Sequence, residues 1–350
     1  MRSPAAAGQG GACVARAPVR ADLAGGTLDL WPLGLLHPGG VTVAVALDLR
    51  VEVEARLPTK PGVLQLASLD LGLAIEIDAS SDAPLDGRLE LLERLARHGA
   101  GPGGIALTSR SPVRAGSGLG TSSALGVAAA AAIATLAGRR VRRDRLVDVV
   151  RDVEAQILGV PTGEQDHRAA IRGGVVLLAH RAGGPVATRL TGPPLAALSE
   201  RLVVVDSGRS RSSGPSNWDM FRRRIEGDEA AVAALHDVAR AGAAAAEAVE
   251  SSDWPLLGRA MRSDLAARRR WSPLVVTDEL ERIFDAAREA RALGYRVCGA
   301  GGGGFAVVLA RDAGDRTRLE RAIADAGGRI AETRPTSRGL VVRGISRPRP

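Results

Sequence analysis

The clearest order in this chain is the alternation over Val41 to Leu57, VTVAVALDLRVEVEARL, in which every second residue is apolar. A period of two predicts strand, and a second β-like run covers Leu71 to Ile77. Leucines recur at helical spacing over Leu85 to Arg97, and Leu146, Val149, Val150, Val153 and Ile157 mark one face of a helix over Arg143 to Leu158. Pro161 and Gly163 end that helix. Ile105 to Thr108 reads as a short strand entering a glycine-rich segment, with an Ala-rich helix over Ser122 to Ala137 directly after it. The first ordered element is expected near Cys13. Further strands are predicted at Val175 to Ala179, Leu202 to Val205, Phe305 to Leu309 and Leu340 to Val342, and further helices near Glu229 to Glu250, Trp254 to Arg269 and Asp278 to Leu293. Gly183, Gly184, Gly192, Pro193 and Pro194 punctuate the middle of the chain and suggest a boundary there, giving domains over 12–196 and 197–346. Helices alternating with short strands point to an α+β class.

Composition adds few functional classes and removes several. With 350 residues, 45% of them hydrophobic, the chain can build two cores. No apolar run reaches the roughly 18 residues of a membrane-spanning helix, and Met1 to Gly11 lacks the apolar centre of a secretory signal, so no membrane association and a cytoplasmic location are expected. Cys13 and Cys298 are too far apart in sequence for a disulfide framework or a zinc-ligand spacing. The formal charge of +8 raises nucleic-acid binding, but Lys60 is the only lysine, the arginines are spread along the whole chain, and aromatics make up 2%. An anionic small molecule is the expected partner, with no nucleic acid. Oligomeric state is not legible.

Three segments carry candidate chemistry. Gly116, Ser117, Gly118, Leu119, Gly120, Thr121, Ser122 and Ser123 lie between a predicted strand and the start of a predicted helix. Glycines let backbone N–H groups approach a polyanion, and the first helical turn adds partial positive charge. Neither a Walker A lysine nor a G-x-G-x-x-G fingerprint is present, so the stretch is either a phosphate cradle of another kind or an ordinary Ser/Thr cap. Gly299-Ala-Gly-Gly-Gly-Gly304, which contains Gly301 and Gly302, has five glycines in six positions and implies a backbone pressed close to something. Asp166, at the junction after the helix that ends near Leu158, suits a base that takes a hydroxyl proton; Glu154 suits a Mg²⁺ ligand or a plain surface position; Arg20 suits a fixed cation.

Taken together, Arg16-Ala-Pro-Val-Arg-Ala-Asp-Leu-Ala-Gly-Gly-Thr-Leu-Asp29, Gly116 to Ala124 and Cys298 to Phe305 resemble the three motifs of the GHMP kinases, in that family's order. The resemblance spans about residues 13 to 345. It implies an N-terminal domain of ribosomal-S5 type, a C-terminal ferredoxin-like domain, a cleft between them, ATP and Mg²⁺ as cofactors, and a kinase that phosphorylates a hydroxyl. Carried over by position, Ser122 and Glu154 match the metal-site residues, Asp166 the catalytic aspartate, Arg20 the cation beside it, and Asp29 the acid that contacts sugar hydroxyls. The segments Ala24 to Leu30, Glu164 to Ala170 and Asp206 to Ser213 are similar to the heptose 7-phosphate kinase and fucokinase-like branch, where Arg209 or Arg211 would hold an acceptor phosphate. The chain departs from that branch at Gly25-Gly-Thr-Leu-Asp29, at Arg114 in place of a common proline, and at Arg268 to Arg270, where a lysine is usual. Mevalonate-type kinases, diphosphomevalonate decarboxylases and a silent nucleotide or sugar sensor share the same motifs.

Overall fold

The computed structural model describes residues 11–81, 87–114, 116–209 and 217–345. In chain order the strands are β1 (Ala12–Ala24), β2 (Val41–Arg56), β3 (Val63–Ser68), β4 (Leu73–Asp78), β5 (Gly104–Arg110), β6 (Val175–Ala179), β7 (Val186–Leu190), β8 (Leu202–Asp206), β9 (Gly294–Val297), β10 (Phe305–Leu309), β11 (Arg329–Ile330) and β12 (Val341–Ile345). The helices are α1 (Leu33–Leu36), α2 (Glu90–Gly99), α3 (Thr121–Leu136), α4 (Arg143–Leu158), α5 (Gln165–Arg172), α6 (Pro193–Arg201), α7 (Asn217–Ile225), α8 (Glu229–Ser251), α9 (Trp254–Trp271), α10 (Asp278–Glu289) and α11 (Ala313–Asp325).

Two sheets organise these elements. The first follows the path β12-β1-β2-β5-β3-β4, with β6 and β7 added alongside β2. The alternating run Val41 to Arg56 becomes its central strand, because β2 is long enough to pair β1 along its length, β6 at its start and β5 at its end. The Ala-rich sequence of α3 offers little but methyl groups, so that helix beds against β1 and β2 with Ala124, Val127, Ala128, Ala131 and Ala132 buried.

The second sheet has the order β11-β8-β10-β9, all antiparallel, with α10 and α11 against it. A strand, helices, a β9–β10 pair, a helix and a closing strand in that chain order form the expected ferredoxin-like layer. The architecture is a two-domain mixed α+β fold. The position 196/197 lies inside α6, and β12 returns to the first sheet to pair β1. No helix among the described residues is long and apolar enough to cross a membrane.

Candidate active site

One buried cation joins the three motif segments. Arg20 and Asp22 share a face of β1, two residues apart. Arg20 Nε donates to Asp166 Oδ1 at 2.6 Å and lies 3.2 Å from Asp22 Oδ1; Nη1 donates to the Gly118 carbonyl, and its backbone N–H donates to Leu119 O at 2.9 Å. Asp22 Oδ2 in turn accepts from the Gly299 N–H at 2.6 Å. Burial opposes the Arg20 charge, but Asp166 and Asp22 outweigh it and hold its pKa above the ordinary value. Burial raises the Asp166 pKa, Arg20 pulls against it and Asp22 adds to it, leaving that carboxyl above the usual aspartate value. A carboxylate so held stays basic enough to accept a proton while its orientation is fixed by the guanidinium.

The glycine-rich loop leads straight into α3. Gly120, in the left-handed region at φ 68°, is the N-cap, and no side chain caps the helix. The first-turn N–H groups therefore face the cleft without a side-chain acceptor. Thr121 turns back to Ser117, their hydroxyls 3.2 Å apart, and Ser122 is exposed at the cleft. Ser123 Oγ donates to both oxygens of Glu154, at 3.0 and 3.1 Å. Glu154 also meets His167 Nε2 at 2.9 Å from Oε2. Burial would raise the Glu154 pKa, but His167, Ser122 and Ser123 overcome it and keep the group below its ordinary value, hence ionised.

Among the described residues no cluster of three or more His, Cys, Asp or Glu is arranged to hold a metal by itself. An ionised, buried Glu154 beside the Ser122 hydroxyl nevertheless fits Mg²⁺, which keeps several waters and takes its remaining oxygens from substrate phosphates.

The opposite wall of the cleft, about 630 Å³ in volume, is built around Asp29. Asp29 Oδ2 accepts from the Gln165 N–H at 3.0 Å. Burial, with Asp166 and Asp22 nearby, pushes its pKa up to about 6 despite that hydrogen bond. Thr27 Oγ1 donates to Asn217 Oδ1 at 3.0 Å and receives Arg268 Nη1 at 3.5 Å. A hollow of about 660 Å³ on the outer sheet face, over β3 and β4, carries none of these residues.

Arg20, Asp29, Glu154, Asp166 and the loop residues Gly116 to Gly118 and Gly120 to Ser123 thus line one cleft, while Leu119 is buried behind it and contributes its carbonyl to Arg20. Gly299 and Ala300 also line it, whereas Gly301 and Gly302 turn onto Val275, the Gly302 N–H donating to Val275 O at 3.0 Å. Arg209 is not brought to this wall: its guanidinium pairs with Glu279 at 3.2 Å. Arg211 lies outside the described residues. Asp22, Gln165 and Asn217 line the cleft without having been singled out from sequence, and Arg268, noted there only as an arginine where a lysine is usual, lines it too. Asp22 stands inside the first motif, and its spacing from Arg20 was the available signal.

The family model for the GHMP kinases N terminal domain matches residues 88–174, and that for the GHMP kinases C terminal region matches residues 245–329. A galactokinase from Mycobacterium bovis is 30% identical over 278 residues, covering 66% of this chain and 73% of that protein. The chain belongs to the GHMP kinases. These are phosphotransferases that use ATP and an alcohol acceptor.

Among its GHMP relatives, a D-glycero-alpha-D-manno-heptose 7-phosphate kinase from Campylobacter jejuni is 25% identical over 297 residues, covering 82% of this chain and 86% of that protein. A bifunctional fucokinase/GDP-fucose pyrophosphorylase from Arabidopsis thaliana is 24% identical over 320 residues. The matched region spans only 30% of that relative's length, though it covers 85% of this chain. The same GHMP fold is seen in Lactococcus lactis galactokinase complexed with galactose, at a TM-score of 0.78 and 18% identity, covering 94% of this chain and 95% of that one.

Proposed function

We propose that this chain transfers the γ-phosphoryl group of ATP to a hydroxyl of a sugar or sugar phosphate of the heptose-phosphate kind. The observation that carries the reading is the Asp166–Arg20 pair, 2.6 Å apart at the mouth of the glycine-rich loop and facing the Asp29 wall. In this reading the N–H groups at the start of α3 bind the nucleotide phosphates, and Asp166 orients the acceptor hydroxyl and takes its proton. Arg20 neutralises charge beside the transferred group. Asp29, with the Gln165 backbone behind it, accepts hydrogen bonds from acceptor hydroxyls. Ser122 and Glu154 would hold Mg²⁺, which supplies charge neutralisation on the phosphates when bound.

Similarity to the heptose 7-phosphate kinase supports a sugar phosphate, and the acid at Asp29 supports a polyol. The test is ADP release by the purified full chain with ATP and Mg²⁺ against heptose 7-phosphate, fucose, galactose and mevalonate. Turnover with a sugar or sugar phosphate is expected. Turnover with mevalonate alone, or with none of the four, would overturn the reading. Asp166→Asn should lower kcat by on the order of 10² or more with ATP affinity nearly unchanged.

A further inference from the structure

The cleft wall formed by α9 holds more positive charge than its own carboxylates account for. Arg268 is 2% exposed and lines the cleft; Arg296 on β9 is fully buried behind it. Among the described residues, Asp264 is the only carboxylate in ion-pair range of either: Arg268 Nε at 2.8 Å and Arg296 Nη1 at 3.2 Å, both on Oδ2. Asp264 Oδ1 is already taken by the Gly25 N–H at 2.8 Å. Burial would raise the Asp264 pKa, but the two arginines and that N–H keep it low, so it supplies one full negative charge against two guanidiniums.

The outer edge of Arg268 points toward the acceptor side. Nη1 reaches Thr27 Oγ1 at 3.5 Å, and among the described residues Nη2 has no hydrogen-bond partner. The missing side chain at Gly26 is what admits that edge. A methyl group there would sit 2.9 Å from Arg268 Nη2 and 3.5 Å from Gln165 Nε2. Two N–H donors therefore converge beside Gly26, next to the hydroxyl-accepting Asp29 and one residue from Asp166. A lysine at position 268 would bring the charge without the planar fork that meets two oxygens of an anion.

We propose that Arg268, with the Gln165 amide, binds an anionic group carried by the acceptor, so that the preferred substrate is a sugar phosphate and not the neutral sugar. This rests on the kinase reading above and narrows it. It also moves the expected phosphate contact from Arg209, which is engaged with Glu279, to α9.

Calorimetric titration of the full chain, saturated with a non-hydrolysable ATP analogue and Mg²⁺, tests it with three probes: mannose, mannose 6-phosphate and inorganic phosphate. Wild-type protein should bind mannose 6-phosphate at least 10-fold tighter than mannose, with inorganic phosphate competing. Arg268→Met should remove about 10- to 100-fold of the affinity for the phosphorylated sugar and leave mannose within about threefold. Arg268→Lys, which keeps the charge in case the Met variant does not fold, should lose an intermediate amount. No wild-type preference for the phosphorylated sugar, a preference that survives in both variants, or an equal loss for both sugars would overturn the proposal. Phosphotransfer to a phosphorylated sugar unaffected by these substitutions would sink the anion site while leaving the kinase reading intact; absence of phosphotransfer to any sugar would remove that reading itself.

Discussion

Replacing Asp29 by asparagine should make the protein more stable at neutral pH and worse at its work. Asp29 is 9% exposed, and burial among Asp166 and Asp22 lifts its pKa from an ordinary 3.8 to about 6. At about 1.4 kcal/mol per pKa unit, ionising it in the folded state costs about 3 kcal/mol more than in the unfolded chain. The sign follows from the raised value. Below pH 3.8 the group is protonated in both states and costs nothing; stability is lost as pH rises through 6, and the full cost is present at pH 8.

Asparagine keeps an oxygen for the Gln165 N–H and cannot ionise. Asp29→Asn should therefore melt roughly 5 °C or more above wild type at pH 8, with the gap closing toward pH 4. Thermal unfolding of both proteins from pH 4 to pH 8, paired with acceptor KM measurements, reads the two effects. The acceptor KM should rise by about 10-fold or more, because the amide replaces a charged acceptor of hydroxyl hydrogen bonds. A variant no more stable than wild type at pH 8, or a stability gap that does not change with pH, would refute the electrostatic account of Asp29.

Arg20→Met leaves Asp22 and Asp166 without their shared cation and should cost about 3 to 5 kcal/mol of stability, read by urea unfolding. Adding Asp166→Asn should recover part of that loss, and strict additivity would argue against the pairing. Gly118→Ala meets two obstacles: a φ of 86°, and a methyl 2.6 Å from the Cys298 carbonyl. It should weaken ATP-analogue binding by on the order of 10-fold, and unaltered affinity would show that the loops tolerate separation. His167→Leu removes the imidazole that abuts Glu154 and should raise the Mg²⁺ concentration needed for half-maximal ATP-analogue binding by about 10-fold. An unchanged Mg²⁺ requirement would reduce His167 to packing.

Long amphipathic elements were legible because one face is dry and the other wet: β2 by strict alternation, α4 by its leucine and valine stripe. β1 was legible only as a starting point. Small residues, Pro18 and three charged residues interrupt its period, yet it is buried on both faces and paired on both edges. Asp166 was read at a junction and stands in the first turn of α5, whose eight residues are too few to display a helical period. The pair Asp264 and Arg268, four residues apart, looks in sequence like any solvated ion pair on a helix surface. Only the crossing of α9 beneath the Gly25–Thr27 turn makes it a buried feature of the cleft. That is tertiary information, and no local pattern carries it.

The second glycine cluster shows how such information redistributes roles. Five glycines in six positions imply close approach, and the partner is the first glycine-rich loop. A Cβ at Gly299 would stand 3.1 Å from the Gly118 Cα, one at Gly304 would collide with the Ser117 carbonyl, and the Phe305 N–H donates to Ser117 O at 3.0 Å. The Gly299 N–H is meanwhile spent on Asp22, which faces Arg20. The second domain thus reaches the chemistry through backbone, bracing the loop from behind and fixing the acid that sits on the other side of Arg20. A side chain at Gly118 or Gly299 would part the domains at the point where the Arg20–Asp166 pair is set. The tolerance there is a few tenths of an ångström, and only glycine meets it on both loops of the contact.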